Sequence, residues 1–282
     1  MIVNLFSTAN LSSGRSDVLA RMIASVAAAA RARADIDVRL LILLQGCDSA
    51  PADLLSEEEA RLVTLLTAPG LVSLSAARNL LLAEGRRLGW MAGDEIVAFP
   101  DDDCWYPEGA LPYIHDAFSA RSDLDLWFCD YASSPVPMDG ALERDASVHD
   151  VLRRASSNTM VFRSAVARQV GEFDLDLGVG ARLNGSEDTD YALRAFALSR
   201  RTRFLPLPCI GHRDRNTAIR AKYYPSGLMV IARHARQVPA LRGALVRKLA
   251  VGSALVARGE LKPRAFAGAL RTAIEAFGQA RR

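Results

Sequence analysis

The stretch Glu95-Ile96-Val97-Ala98-Phe99-Pro100-Asp101-Asp102-Asp103 decides the reading of this chain. Its apolar run reads as a short strand that Pro100 ends. Three consecutive carboxylates follow at the strand's carboxyl end, the edge of an open α/β sheet at which ligands bind. Their mutual repulsion calls for compensating cations. From these residues alone two readings stand. One is a site for a hard divalent ion, magnesium or manganese, that also takes substrate phosphate oxygens. The other is an acidic turn capping the helix that Pro107 begins.

Working outward, short apolar runs alternate with longer segments of helical period, as in an α/β domain with a largely parallel sheet. Residues 2–7 read as a first strand and 16–33 as an alanine-rich helix with Leu19, Ile23 and Val26 on one stripe. Residues 38–44, nearly all Leu, Ile and Val, suit a strand buried on both faces. A crossover over 71–88 turns helical from the region of Ser73 to Ser75. Beyond the acidic cluster, 126–131, 158–163 and 203–205 read as strands, and 133–148 and 178–186 as loops bearing glycine. After His212 the character changes, and 227–282 reads as helical, interrupted by Pro239 and Pro263.

The chain has 282 residues, 50% hydrophobic and 24% charged, enough for one large α/β domain with an appendage. The net charge of +3 hides an asymmetry: Arg201 to Arg282 holds 17 basic and 3 acidic residues. Such a segment suits nucleic acid, anionic lipid or a phosphorylated substrate, or is a solvated helix surface. Because 32 of the 35 basic residues are arginine, a compositional bias also accounts for it. Cys47, Cys104, Cys129 and Cys209 lack zinc-site spacing and are too few for a disulfide framework, which fits a reducing, cytoplasmic setting. No signal peptide is visible, and no apolar stretch approaches the roughly 18 residues a bilayer requires.

Two further constellations carry chemistry. Gly185-Ser186-Glu187-Asp188-Thr189-Asp190 runs from a loop into a helix, with Ser186 a candidate N-cap and Glu187 and Asp188 in the first turn. A carboxylate there takes a proton from a hydroxyl, or merely complements the helix dipole. His212 follows Pro208-Cys209-Ile210-Gly211 at the end of a strand. Read alone it is a structural hydrogen-bonder, or a neutral imidazole completing a metal site begun by Asp103.

The series Ala77-Arg78-Asn79, Ile96 to Trp105, Asn158-Thr159-Met160-Val161-Phe162-Arg163, Gly171-Glu172-Phe173-Asp174 with Gly178-Val179-Gly180, Glu187-Asp188-Thr189-Asp190 and His212 resembles the family 2 glycosyltransferases. These are inverting enzymes of GT-A fold that build bacterial polysaccharides and glycolipids, and the motifs fall in the family's order over residues 2–212. The resemblance implies a Rossmann-like, mostly parallel sheet flanked by helices, in a GT-A domain over 1–215 with a nucleotide-binding half at 1–103 and an acceptor half at 104–215. The change of character after His212 adds to it a basic, C-terminal helical extension, 216–282.

Carried over residue by residue, Asp101 and Asp103 form the Asp-x-Asp motif, with Asp103 nearest a Mn2+ or Mg2+ ion and Asp101 toward the ribose or sugar. Asp102 takes either job. Arg78 and Asn79 lie near the nucleotide or its phosphates, Asp188 is the catalytic base, Glu187 positions the acceptor or the base, and His212 is a metal or diphosphate ligand. Trp105 packs on a sugar face or in the core, and the glycine-bearing loops permit closure over the donor. Two departures stand out. The first strand ends Ser7-Thr8-Ala9-Asn10, where the family has a proline, and the second ends Gln45-Gly46-Cys47-Asp48, where it has an acidic base-recognising residue. Gln45 still hydrogen-bonds a base edge, with uracil, guanine and thymine all open.

The expectation is therefore a metal-dependent, hexosyltransferase-like enzyme, taking a nucleotide-diphosphate sugar as donor and a saccharide or lipid-linked acceptor, with no nucleic-acid partner. The basic helices at 227–282 suit peripheral contact with the inner face of a membrane, or packing and homo-oligomerisation. The alternatives are a sugar-nucleotide nucleotidyltransferase, for which Leu11-Ser12-Ser13-Gly14-Arg15 offers a meagre phosphate loop, and a non-catalytic binding protein of the same fold.

Overall fold

The structure, a computed structural model, describes residues 1–138, 140–214 and 221–278. Its centre is an eight-stranded sheet. Strands β1 (Ile2–Asn10), β2 (Asp37–Gln45), β3 (Val63–Ala68) and β4 (Ile96–Ala98) pair in parallel, in the order β3-β2-β1-β4. β5 (Leu124–Ala132) and β8 (Arg201–Gly211) form a second parallel pair. β7 (Val161–Arg163) lies between the two groups, antiparallel to both β4 and β5, and the short β6 (Arg144–Asp145) edges β8. The sheet is thus mixed α/β and mostly parallel, with its carboxyl ends of β1, β4 and β8 on one side.

Side-chain alternation along the strands builds two cores. Leu40, Ile42 and Leu44 of β2 join one face, against helix α1 (Ser16–Ala32) and helix α3 (Ala110–Ala120). Leu41 and Leu43 join the other, against α2 (Leu74–Arg87), α4 (Val148–Arg154), α5 (Ser164–Val170) and α6 (Glu187–Leu198). Because the strand is buried on both faces it contains no polar alternation, as its sequence implies. Each such leucine contributes about 1.5–3 kcal/mol through removal of apolar area from water.

Helix α7 (Tyr224–Gln237) has two apolar faces. Met229, Val230 and Ala235 enter the core that holds α6, while Leu228 and Ala232 meet Leu255 of α8 (Arg242–Ala257) and Ala269 and Ala273 of α9 (Pro263–Gly278). The C-terminal helices are therefore docked through α7, and their breaks fall at Pro239 and Pro263 as expected. Among the described residues no helix is long and apolar enough to cross a membrane. The four cysteines are free thiols.

Three features depart from the sequence reading. Val63 to Ala68, with threonines interrupting the apolar run, forms the edge strand β3 that the sequence reading did not separate from its surroundings. The segment 133–148 holds β6 and the capping box of α4, in which Ser147 and Asp150 exchange hydrogen bonds. Helix α3 begins at Ala110, after Gly109, with no acidic residue in its first turn. The acidic cluster therefore does not cap it. The expected boundary at 215/216 and the last four residues of the extension lie outside the described residues.

Candidate active site

Asp101, Asp103 and His212 converge at the carboxyl ends of β4 and β8, each offering one ligand atom, all within 4.8 Å of one another. Their meeting is arranged by Trp105 and Gly211, whose backbones exchange two hydrogen bonds of 2.9 Å and so tie the acidic loop to the end of β8. The indole covers Gly211 so closely that a Cβ there would lie 2.0 Å from the ring, which is why the residue before His212 is glycine. On its other contacts Trp105 carries the Arg21 guanidinium, 3.9 Å from the ring centroid, and Arg21 donates to the Asp103 carbonyl. Trp105 thus braces the site from within.

His212 is oriented for coordination. Its Nδ1 lies 2.9 Å from the Arg213 carbonyl oxygen, which only accepts, so Nδ1 carries the proton. In the neutral ring this leaves the Nε2 lone pair facing Asp103 Oδ1 at 3.1 Å and Asp101 Oδ2 at 3.7 Å. Both Nε2 and Asp103 Oδ1 are buried with no hydrogen-bond partner. Two acceptors turned toward each other, with the far ring nitrogen held by a carbonyl, are what a cation between them requires. The donor set, two carboxylates and an imidazole, fits manganese or magnesium.

Charge around the cluster is uneven. Burial raises the Asp103 carboxyl, whereas the guanidiniums of Arg213 and Arg15 pull it down. Arg15 Nη2 donates to Asp103 Oδ2 at 2.6 Å, and Arg213 donates to the same oxygen. Asp102 faces the other way in character: burial, with repulsion from Asp103 and Asp101, outweighs Arg15 and lifts it to about 6. It lies outside the converging ligand atoms.

Arg78 links the two acidic motifs. The first turns of α2, capped by the Ser73 hydroxyl, carry it into the interior. Its guanidinium reaches Asp101 Oδ1 at 3.0 Å and Glu187 Oε1 at 3.4 Å, over the Phe173 ring. Ser157 adds a hydroxyl 3.2 Å from Asp101 Oδ1. The neighbouring Asn79 turns away: its amide donates to the Phe173 carbonyl and accepts from the Phe173 N–H, fastening α2 to the Gly171-Glu172-Phe173-Asp174 segment. Gln45 is likewise engaged, donating to Thr8 and accepting from the Val72 N–H, so it joins β1, β2 and the approach to α2.

Glu187 and Asp188 open α6. Ser186 occupies the N-cap position, yet its side chain makes no cap bond; it sits at φ 65° and its hydroxyl bonds Ser226. The left-handed turn aims Glu187 inward, where Oε2 is buried without a partner. Burial raises the Glu187 carboxyl, with repulsion from Asp188, against the pull of Arg78. Asp188 is raised by burial as well, against Arg78 and the Thr189 N–H. Its Oδ1 accepts from that N–H at 2.6 Å. One turn on, the fully buried Asp190 holds His234 of α7 at 2.9 Å, locking α6 to α7, and Arg194 of its own helix at 2.9 Å.

The flanking loops are fastened. Gly178 docks on the start of α2, where a Cβ would meet Ser75 Oγ at 2.9 Å, and the Leu177 carbonyl accepts from that hydroxyl. The segment 133–148 is held at one end by Ser133 on Asp214 and at the other by Glu143, which accepts from Trp127, Tyr113 and Arg121.

The structure therefore brings together Asp101, Asp103 and His212, and beside them Arg78, Glu187 and Asp188. Arg15, Arg21, Arg213 and Ser157 were not among the residues the sequence singled out for the site. Arg213 adjoins His212, and Arg15 follows the carboxyl end of β1, so position alone gave a signal for both.

The sequence matches no protein-family model and no curated protein. In structure it is similar to S. aureus TarS 1–349, at 14% identity over 99% of this chain and 81% of that one, with a TM-score of 0.68. Against that fragment in complex with UDP-GlcNAc the values are 14%, 98%, 82% and 0.64. Against the mannosyltransferase PcManGT from Pyrobaculum calidifontis, in complex with GDP-Man and Mn2+, they are 16%, 97%, 85% and 0.57. The chain spans 39% of the longer TarS structure. These likenesses define the fold as glycosyltransferase-like.

Proposed function

We propose that this chain is a metal-dependent, inverting glycosyltransferase that moves a sugar from a nucleotide-diphosphate donor to a hydroxyl of a saccharide or lipid-linked acceptor. The observation that carries the reading is the pair of buried, unpartnered acceptors, Asp103 Oδ1 and His212 Nε2, set across Asp101 and Arg78 from the carboxylates of Glu187 and Asp188. The fold shared with a mannosyltransferase structure holding GDP-Man and Mn2+ supports it.

Asp101, Asp103 and His212 would hold the ion, which when bound neutralises charge developing on the departing diphosphate. Asp188 takes the proton from the acceptor hydroxyl. That oxygen forms its bond to the anomeric carbon from the face opposite the diphosphate, whose C–O electron pair leaves with it, so configuration inverts. A carboxylate raised by burial suits a base that must take a proton from a hydroxyl. Glu187, held by Arg78, fixes the start of α6 and thereby the direction of Asp188. In this reading residues 1–103 bind nucleotide, 104–215 receive the acceptor, and the exposed Arg242 and Arg247 of α8, with Arg258 just after it, face an anionic membrane from the cytoplasm. Lys248, by contrast, packs over the Tyr224 ring.

A thermal-shift panel of UDP-, GDP- and dTDP-sugars with and without manganese tests the reading. Manganese-dependent stabilisation by one nucleotide class is expected; no response to any donor would count against it.

A further inference from the structure

The two oxygens of Asp103 face different partners. Oδ1 is turned inward to His212, whereas Oδ2 receives Arg15 at 2.6 Å and also Arg213. The Asp103 side chain is only 6% exposed, but those of Arg15 and Arg213 are 41% and 65% exposed. The arginines thus approach from solvent, one from the turn after β1 and one from the residue after His212. Gly14, at φ 68°, makes the turn that starts α1 just after Arg15.

Two guanidiniums share one oxygen of Asp103, with the Asp102 carboxylate 4.0 Å from Arg15. Each guanidinium has five N–H donors in a planar fork, and Asp103 uses few of them. Among the described residues Arg213 makes no other side-chain hydrogen bond. Both guanidiniums are exposed to solvent beside the cluster of Asp101, Asp103 and His212, so their remaining donors are within reach of a ligand there. A group that satisfies them carries several oxygens and more than one negative charge. A diphosphate does; a sugar hydroxyl does not.

Resting on the function proposed above, we infer that Arg15 and Arg213 form a diphosphate clamp, anchored by the outer oxygen of Asp103 while its inner oxygen serves the metal position. Asp103 then couples the two halves of the leaving-group site. The meagre phosphate loop after the first strand contributes one residue, Arg15, to a glycosyl donor.

The full chain and its Arg15→Ala, Arg213→Ala, Arg15→Lys and Arg213→Lys variants distinguish a clamp from a pair of counter-ions. Mn2+ binding alone is followed by the spin-resonance signal of the free ion, and UDP, GDP and dTDP binding at saturating Mn2+ by calorimetry. Each alanine variant is expected to bind Mn2+ alone as well as the parent or better, because a neighbouring positive charge is gone. Its affinity for whichever nucleotide the parent binds should fall by about tenfold or more, the loss of charge-assisted hydrogen bonds. The lysine variants should recover part of it. Unchanged nucleotide affinity in both alanine variants would make the arginines mere counter-ions and overturn the clamp. Weaker binding of Mn2+ alone would assign them to the shape of the metal site and overturn it equally. If the parent chain itself binds none of the three nucleotides with Mn2+, the function fails first and the clamp with it.

Discussion

His212 Nε2 and Asp103 Oδ1 face each other at 3.1 Å, both buried and both without a hydrogen-bond partner among the described residues. In a folded interior an unmade hydrogen bond is costly, at about 1–3 kcal/mol for each group. A structure keeps such a pair where something else completes it.

Replacing His212 by alanine should therefore weaken Mn2+ binding by at least about 10- to 100-fold, the range seen when groups supporting a metal ligand are removed. Thermal stability should fall modestly, since a buried ring that packs on Tyr131 is removed. The measurement is a Mn2+ titration of the purified variant. An affinity equal to the parent's would remove His212 from the metal site.

Asp188→Asn should lower turnover by about 10²- to 10⁴-fold while manganese-dependent nucleotide binding persists. Binding and turnover measured on one preparation separate the two effects. A variant that kept near-normal turnover would shift the base role away from Asp188.

Arg78 lies between two carboxylates in the interior, so its removal leaves Asp101 and Glu187 uncompensated. Arg78→Met should destabilise the fold by about 3 kcal/mol or more. Arg78→Lys should not restore it fully, because one ammonium lacks the fork that reaches both partners. Denaturant unfolding at neutral pH measures this, and a loss under about 1 kcal/mol would mean that the linkage is slack.

The pH dependence has a definite sign. Glu187 and Asp188 are both held above the ordinary carboxylate range by burial, so the folded state binds protons that the unfolded chain has released. Stability from this pair is complete below the unfolded values, near 4, and is lost as pH rises through the raised ones. Under the proposed mechanism activity runs the other way, since Asp188 as the base is ionised. The acid limb of kcat/KM should lie above that of an ordinary carboxylate, and Glu187→Gln should move it to lower pH by removing the adjacent negative charge. A pH–rate profile of both proteins checks this; an acid limb at the same pH in each would separate Glu187 from the base.

Gly211→Ala places a Cβ 2.0 Å from the Trp105 ring, so the indole or the end of β8 must move. Overpacking of this kind costs about 1–3 kcal/mol. Because Trp105 ties the Asp103 loop to the residue before His212, Mn2+ affinity should fall together with the melting temperature. A variant with a lowered melting temperature and intact Mn2+ binding would show that the Trp105–Gly211 pairing and the metal position are independent.

Much of this protein was legible in its sequence. The unbroken apolar run of β2, the proline-terminated strand before Asp101 and the proline breaks of the C-terminal helices follow from local chemistry: burial on two faces, a missing N–H donor, a ring that cannot continue a helix. The order of the acidic motifs, with Asp101 to Asp103 at a strand end and Glu187 and Asp188 at a helix start, was equally local. The tertiary structure decided what those residues meet. Only packing shows that the acidic cluster does not cap α3, that Arg78 joins Asp101 to Glu187, and that Asn79 and Gln45 spend their amides on neighbouring backbone and on Thr8. Only the pairing of Trp105 with Gly211 brings His212 to Asp103 across more than a hundred residues of chain. The physical reason is that propensity and hydrophobic period act within a few residues, whereas an ion pair or a ligand set is defined by distances that the chain's path over the sheet creates.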